Sequence, residues 1–320
     1  MARARRLGYA AAMDVLDDIL ATLALKGALY FRTQFSAPWA TTVPELKGAA
    51  RFHLIVEGQC HVSVAGGATL TLGAGDLILI PAGRSHILAD PPVNSAPPLE
   101  TVLKDAGYDG EGVFVAGGDD GAAATQMICG HYTFRDGADH PLLRALPAQL
   151  VFSAADRMRA PWLDEILRLL ARRVFEAGPG AGAAVTRLSE AAFVEMVRAG
   201  AEGAPEMKPV LAALADRQIG RTLSLMHARP HEIWTVEGLA GEAGMSRSRY
   251  AEKFRALIGM SPLAYLSEWR LQKALALLDN HQCTIQQAAA ESGYRSPAAF
   301  TRAFTAKFGA SPTAYRRQRA

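Results

Sequence analysis

Two histidines and a glutamate in the N-terminal half of the sequence carry side chains that can bind a divalent cation. His53 and Glu57 lie four residues apart in one apolar segment, and His86 follows a second apolar segment that begins after Gly75. Imidazole nitrogens and carboxylate oxygens are ligands that Zn, Fe and Mn accept in proteins. A metal site would require a fold that brings these three side chains together.

The segments that carry these residues are short and are separated by Gly or Pro. Eight of them are predicted as strands, namely ALYFRT, RFHLIVEG, CHVSVAG, TLTLG, DLILIPAG, SHILAD, LETVLK and TQMICGHYTF. Short strands with frequent turns are typical of a β-barrel or a jelly roll of two sheets. Residues 1–150 are therefore predicted to form a β domain, with a short amphipathic helix over residues 13–25 before the first strand.

The turn residues of one segment carry a family resemblance. Gly75, Pro81, Gly83 and His86 follow the pattern G-x5-P-x-G-x2-H, which resembles the second motif of the cupin family. The same glycines and proline would also suit the tight turns of any jelly roll, so the pattern alone indicates the fold more strongly than a ligand.

The first cupin motif is only half present. His53 and Glu57 match its last histidine and its glutamate, whereas Arg51 stands where its first histidine belongs. In metal-binding cupins these groups converge inside the barrel, so the resemblance implies a Zn, Fe or Mn site. Its ligands here would be His53, Glu57 and His86, completed by Cys129 or His131. The alternative is a metal-free pocket in which Arg51 pairs with Glu57.

A cupin-like barrel also predicts a pocket for a small-molecule effector. The polar side chains expected to line it are Tyr30, Arg32, Arg51, His53, Glu57 and His86. This set favours a polar or anionic ligand.

The last hundred residues contain the same pattern twice. Gly244, Tyr250, Phe254, Gly259, Ser261-Pro262 and Tyr265 return as Gly293, Phe300, Phe304, Gly309, Ser311-Pro312 and Tyr315, at an offset of 49 or 50 residues. Each copy has the spacing of a helix, a glycine turn and a second helix with basic positions. The pattern predicts helix-turn-helix units over residues 235–258 and 284–308, joined by a linker helix over residues 262–280.

These residues resemble the DNA-binding domain of AraC/XylS-type bacterial transcription regulators. The resemblance lies in SRSRYAEKFRALIGMSPLAYLSEWRLQKALALL and AAAESGYRSPAAFTRAFTAKFGASPTAYRR. It implies a DNA-binding domain over residues 206–320, with double-stranded promoter DNA and RNA polymerase as partners. A rigid linker helix would let the two helix-turn-helix units, here called the reading heads, enter successive major grooves about 34 Å apart.

In related domains the outward residues of each second helix contact bases. Here those positions are Ser248, Ala251, Glu252, Ala298, Thr301 and Arg302. Arg302 is expected to bind guanine through two hydrogen bonds, and Glu252 to accept from a cytosine amine. The residues expected to contact phosphates are Arg247, Arg249, Lys253, Arg295 and Lys307.

The charge distribution agrees with this assignment. Residues 220–320 carry 14 Lys and Arg against 7 Asp and Glu, while the rest of the chain carries 20 against 24. Only the C-terminal part is therefore basic, as expected if that part alone meets phosphates.

Residues 151–205 are predicted to form a helical connector of two amphipathic helices, interrupted by GPGAGA. Such helices offer an interface for a homodimer, which related regulators form through this region. The alternative is that both helices simply pack on the barrel.

The predicted fold class is two-domain α+β, with a cupin-like β-barrel (jelly roll), a helical connector and an all-α DNA-binding domain. The predicted function is a transcription regulator, not an enzyme, whose cupin-like domain senses a small molecule. The alternative is a metal-dependent cupin enzyme, a dioxygenase or isomerase, tethered to DNA. Three cysteines give no disulfide framework and no apolar run approaches ~20 residues, so a cytoplasmic location is expected.

Overall fold

The computed structural model describes residues 14–65, 67–118, 124–174 and 179–319, with the side chains at 30, 31, 201 and 202 left out. Within these residues the strands are β1 (Lys26–Ser36), β2 (Trp39–Val43), β3 (Ala49–Glu57), β4 (Gln59–Val64), β5 (Leu70–Gly73), β6 (Leu77–Ile80), β7 (His86–Asp90), β8 (Val113–Gly117), β9 (Ala124–Thr133) and β10 (Leu150–Phe152).

The helices of the same described ranges are α1 (Val15–Thr22), α2 (Leu99–Asp105), α3 (Pro141–Arg144), α4 (Ala154–Arg157), α5 (Pro161–Val174), α6 (Ala181–Gly203), α7 (Lys208–Ala215), α8 (Ile219–Ala228), α9 (Val236–Glu242), α10 (Arg247–Ile258), α11 (Pro262–Leu278), α12 (Ile285–Glu291), α13 (Pro297–Phe308) and α14 (Pro312–Arg317). The predicted start of the first helix at Met13 lies outside the described residues. None of the helices in these ranges is long and apolar enough to span a membrane.

The chain divides into two compact units that do not follow sequence order. The first, here called the sandwich unit, contains residues 25–136 and 145–208. The second, here called the helical unit, contains the C-terminal residues from 209 together with residues up to 24 and residues 137–144. Two segments from the first 150 residues therefore belong to the helical unit.

The sandwich unit is built from two sheets that are not closed into one barrel. The larger has the strand order β10-β6-β3-β9-β1-β8 and the smaller the order β2-β7-β4-β5. Apolar side chains of both sheets fill the core, among them Phe35, Ile55, Ile78 and Met127 of the larger sheet and Trp39, Val62, Leu72 and Leu88 of the smaller. This arrangement confirms the cupin-like jelly roll.

One predicted strand is wrong. Residues of the segment LETVLK form α2, Leu99–Asp105, which follows Pro98 at its N-terminal boundary. Leu99, Val102 and Leu103 pack against the core of the sandwich at i, i+3 and i+4, which is helical spacing. Conversely, β2, β8 and β10 were not among the predicted strands, and each is only three to five residues long.

The two connector helices belong to the sandwich unit. Helix α6 packs on β1, and the Tyr132 hydroxyl of β9 donates to the Ser189 carbonyl at 2.9 Å. The Tyr132 and Phe193 rings lie 4.8 Å apart. Helix α5 buries Leu163, Leu167 and Leu170, while Trp162 at its start is 67% exposed.

The helical unit contains both predicted helix-turn-helix pairs, α9–α10 and α12–α13, with α11 between them. Gly244 and Gly293 take positive φ angles of 63° and 78° in the two turns, which is why glycine suits both positions. Thr284 forms the predicted capping box with Gln287 at the start of α12. Phe300 and Phe304 of α13 pack with Leu271, Leu275 and Leu278 of α11, which ties the second pair to the linker helix.

Candidate nucleic-acid interface

The second helix of each pair presents its predicted base-reading residues away from the core. In α10, Tyr250, Phe254 and Ile258 are buried, whereas Ser248 and Glu252 are exposed and Ala251 is half-buried. In α13, Phe300 and Phe304 are buried, whereas Ala298 and Arg302 are exposed and Thr301 is half-buried. The repeat therefore gives two outward faces at equivalent positions.

The predicted phosphate-binding residues fall into two groups. Arg249 and Arg295 are exposed, and Arg247, also exposed, contacts Glu237 at 2.8 Å. Pairing at such exposed positions is weak and competes poorly with a phosphate.

The two lysines are held more firmly by carboxylates. Lys253 lies 2.6 Å from Asp216 and donates to Gln218, and Lys307 lies 2.7 Å from Asp139 and 3.7 Å from Glu268. A contact between either lysine and DNA would have to replace these ion pairs.

Arg270, which was not among the predicted site residues, attaches the linker helix to the first helix-turn-helix pair. Arg270 of α11 is half-buried and donates to the carbonyl oxygens of Pro230 and Glu232, both at 2.7 Å. These carbonyls lie in the turn before α9. No motif marks Arg270 in the sequence, because its partners are backbone atoms about 40 residues away.

In the sandwich unit, three of the predicted metal ligands, His53, His86 and Cys129, form a linear chain of hydrogen bonds. His86 Nδ1 lies 2.8 Å from the Arg84 carbonyl, so it carries a proton, and His86 Nε2 is an acceptor. His53 Nε2 therefore donates to His86 Nε2 at 2.8 Å, and His53 Nδ1 accepts from the Cys129 thiol at 3.1 Å. This chain joins β3 of one sheet to β7 of the other.

Burial keeps this cluster neutral. It lowers the pKa of His53 well below its ordinary value and that of His86 to about 4, with the Arg51 charge acting in the same direction. Burial likewise raises the pKa of the Cys129 thiol. Every imidazole nitrogen of the pair is engaged, so no lone pair is available to a cation.

Glu57, the carboxylate among the predicted metal ligands, does not join this cluster. A register shift between Ile55 and Glu57 inserts one residue into β3, which breaks the alternation that would place His53 and Glu57 on one face. Glu57 is exposed. Within the described ranges, no group of three or more His, Cys, Asp or Glu side chains is arranged to hold a metal ion. The residues do not fit the predicted cofactor.

The proposed Arg51–Glu57 pair is also wrong. The two residues are separated by about 20 Å along β3, at ~3.3 Å per residue. Arg51 is buried and donates to the carbonyl of Pro44 at 3.0 Å.

The predicted effector-binding residues are not brought together as one set. His53 and His86 belong to the buried cluster, and Arg51 is buried on the same strand as His53. Arg32 instead donates to the Val174 carbonyl and lines a separate cavity of about 240 Å³ with Tyr108. The side chain of Tyr30 lies outside the described residues.

A larger groove lies outside the apolar core of the sandwich. It has a volume of about 580 Å³ and runs between the edge strand β10 and the C-terminal end of α6. Its apolar walls include Leu150, Phe152, Ala160, Ala199 and Ala204, and its polar side chains are Gln149, Asp156, Arg159 and Glu206.

Comparisons with known proteins agree with the two units. Residues 14–202 match the family described as Cupin, and residues 239–318 match the family described as Helix-turn-helix domain. The transcriptional regulator AlkR of Acinetobacter baylyi is 31% identical over 310 residues, which cover 96% of this chain and 100% of AlkR. An AraC-like transcription regulator of Streptomyces lividans is 30% identical over 95% of this chain and 98% of its own length.

Among solved structures, the DNA-binding domain of AdpA in complex with a target DNA is 33% identical. It covers 32% of this chain and 93% of its own, with a TM-score of 0.31. The cupin match spans more than half of the chain, and AlkR is matched from end to end. The chain belongs to the AraC-type transcription regulators that carry an N-terminal cupin domain.

Proposed function

We propose that this regulator binds promoter DNA with the outward faces of α10 and α13, and that a small molecule bound by the sandwich unit changes that binding. The observation that carries the proposal is the pair of equivalent outward faces, each held on its own buried aromatic residues and joined by α11. The basic charge of residues 220–320 supports the same assignment.

The six outward residues are the proposed base contacts. Arg302 has the geometry to bind guanine through two hydrogen bonds, which is worth about 1–3 kcal/mol of discrimination. Arg249 and Arg295 are the exposed cations proposed to contact phosphates first. Lys253 and Lys307 remain proposed phosphate contacts, reached by exchange with their carboxylate partners.

The test is selection from genomic DNA. The full chain is incubated with sheared DNA from its source genome, and the retained fragments are sequenced. We expect one site with two sequence boxes about one helical turn apart. Retention without sequence preference, at a salt concentration that suppresses phosphate contacts, would contradict sequence-specific recognition.

For the effector we propose the groove beside β10. The His53–His86–Cys129 cluster supports no ligand unless its hydrogen bonds break, whereas the groove offers a volume within the ~300–1,000 Å³ range of ligand sites. Two carboxylates, Asp156 and Glu206, line it against one guanidinium, Arg159. That balance favours a largely apolar molecule that is neutral or carries a positive charge, over the polar or anionic ligand that the sequence predicted.

We also propose that the protein is cytoplasmic and contacts RNA polymerase at its promoters. We further propose that it forms a homodimer through α5. Trp162 is 67% exposed and Leu169 is 36% exposed. They lie seven residues apart on this helix and so share one face, which a second copy of the chain could cover. The proposal predicts that the wild-type chain has a solution mass of twice 34.1 kDa and that Trp162→Asp has the mass of a single chain. A variant that keeps the wild-type mass would contradict an interface through α5.

The enzyme alternative finds no support in this cluster. The histidine nitrogens that would hold a catalytic metal are already bonded to each other, to a thiol and to a carbonyl. We therefore propose that the protein acts by binding DNA and not by catalysis.

A further inference from the structure

We propose that Asp18 of α1 and His140 of the segment 137–144 are positioning residues for DNA recognition, which hold the linker helix α11 at the angle that both reading heads require. This inference rests on the proposed binding of a two-box site. Neither residue belongs to a helix-turn-helix pair, and neither lies near one in sequence.

A single chain of buried hydrogen bonds connects these two residues through α8 and α11. His140 Nδ1 accepts from the Leu142 backbone N–H at 3.1 Å, so His140 Nε2 carries the proton and donates to the Tyr265 hydroxyl at 3.0 Å. The Tyr265 hydroxyl then donates to His227 Nε2 at 2.6 Å. His227 Nδ1 in turn donates to Asp18 Oδ2 at 2.8 Å.

The chain ends in an ion pair on the same linker helix. Lys273 Nζ lies 2.6 Å from Asp18 Oδ1 and 5.2 Å from the centre of the Trp269 ring. The His227 ring stacks on Trp269, with the ring centres 4.0 Å apart. His140, His227 and Tyr265 are each at most 3% exposed. Low exposure makes these bonds costly to lose, because water cannot replace them.

The segment 137–144 adds further contacts to α11. Gln272 donates to the Gly137 carbonyl at 3.1 Å and accepts from the Asp139 N–H at 3.3 Å. Arg144 pairs with Glu268 of the same helix. Tyr265 and Lys273 are eight residues apart, about 12 Å along the helix axis. The contacts therefore fix both the position and the rotation of α11.

Helix α1 contributes apolar contacts beside the polar ones. Val15, Ile19 and Leu20 are buried, and α1 packs on α8 and α11. Asp14 caps α1 by accepting from the N–H groups of Leu16 and Asp17. The cap and these buried contacts hold α1 in place, and they present Asp18 to its two partners.

Both segments continue directly into paired strands of the sandwich unit. Helix α1 ends at Thr22, before β1 begins at Lys26, and β9 ends at Thr133, before Gly137. Lys26 and Thr133 are register partners in the β1–β9 pair. A ligand-dependent change at this end of the pair would act on both segments together. The backbone therefore offers a physical route from the sandwich unit to α11. The route can transmit a signal only if α11 has two arrangements and the ligand favours one of them.

The test compares two substitutions that remove the same charge from neighbouring positions of α1. Asp18→Asn keeps the size of the side chain but loses the charge that faces Lys273, whereas Asp17 is exposed and Asp17→Asn should change nothing. The DNA probes are a two-box fragment retained by the wild-type chain and the same fragment with one box scrambled. We expect Asp18→Asn to lose about tenfold in affinity for the two-box probe, and roughly twofold or less for the one-box probe.

A second variant keeps the test decisive if the first disturbs folding. Lys273→Met retains the apolar stem over Trp269 and should weaken two-box binding as Asp18→Asn does, and the double variant should be no weaker than either single one. Equal losses on both probes, wild-type binding by both variants, or unfolding of the helical unit in both would overturn the positioning role. If the wild-type chain retains no specific DNA fragment at all, the proposed function itself is refuted.

Discussion

At the scale of single residues, the sandwich unit uses two histidines as neutral hydrogen-bonding groups. His53 and His86 bridge the two sheets, and each nitrogen has one partner. The sequence allowed their identification as a close pair, since both fit cupin motifs. It gave no information about protonation, which depends on burial and on Arg51, and it placed Glu57 wrongly because the β3 bulge has no sequence signature.

This neutrality predicts a pH dependence of stability. The pKa of His86 is about 4 in the folded chain, below about 6.5 when unfolded. The folded state therefore binds fewer protons between these values. For His86 alone, the free energy of unfolding is highest above pH ~6.5 and falls by roughly 3 kcal/mol as the pH drops to about 4. The lowered pKa of His53 acts in the same direction.

The measurement is hydrogen exchange of the β3 and β7 amides between pH 7.5 and 5, corrected for the intrinsic exchange rate. His86→Gln should reduce the fall in protection and leave the part that His53 contributes. His61→Gln, on the partly exposed face of β4, serves as the control and should leave it unchanged. A wild-type slope retained by His86→Gln would contradict the assignment.

At the scale of elements, the two turn glycines occupy equivalent places in different surroundings. A Cβ on Gly244 would meet no atom within 4 Å, whereas one on Gly293 would lie 2.8 Å from the Pro230 carbonyl oxygen and 2.9 Å from His231 Cα. Both positions have positive φ, which costs a side chain about 1–2 kcal/mol. Only the second also crowds backbone atoms next to Arg270.

We therefore expect Gly293→Ala to destabilise the helical unit by about 3 kcal/mol and Gly244→Ala by about 1 kcal/mol. Thermal unfolding followed by circular dichroism measures the difference. Equal losses of stability in the two variants would show that the Pro230 turn moves away from an added Cβ at little cost. Because Arg270 holds that same turn, Gly293→Ala should also weaken DNA binding more than Gly244→Ala does.

The elements of the helical unit were largely predictable, because caps, glycine turns and aromatic spacing are local and appear twice. Thr284 with Gln287 and Ser296 with Pro297 mark helix starts within four residues. The contacts of Arg270 with the turn before α9 and the attachment of α1 through Asp18 were not predictable. The partner of Arg270 lies about 40 positions away and that of Asp18 more than 200. The local sequence around a single Arg or Asp does not indicate such distant partners.

At the scale of the whole molecule, filling the groove should separate ligand response from DNA binding. Gly203 lines the groove, has no positive φ, and a Cβ there would meet nothing within 4 Å. We expect Gly203→Phe to bind the selected DNA as the wild type does but to lose at least tenfold in affinity for Nile red, a neutral apolar probe. Gly203→Ala adds only a methyl group and is the matched control. Unchanged probe binding by Gly203→Phe would exclude the groove.

The discontinuous helical unit also has a consequence for synthesis on the ribosome. Asp18 and Lys273 are separated by 255 positions, so at ~5–20 residues per second α1 emerges roughly 13–51 s before its partner exists. The sandwich unit can fold in that interval. A nascent chain that stops before α11 would therefore contain a folded sandwich beside an α1 with nothing to pack on. We expect such fragments to expose Ile19 and Leu20 and to be substrates for chaperones and proteases before they reach a promoter.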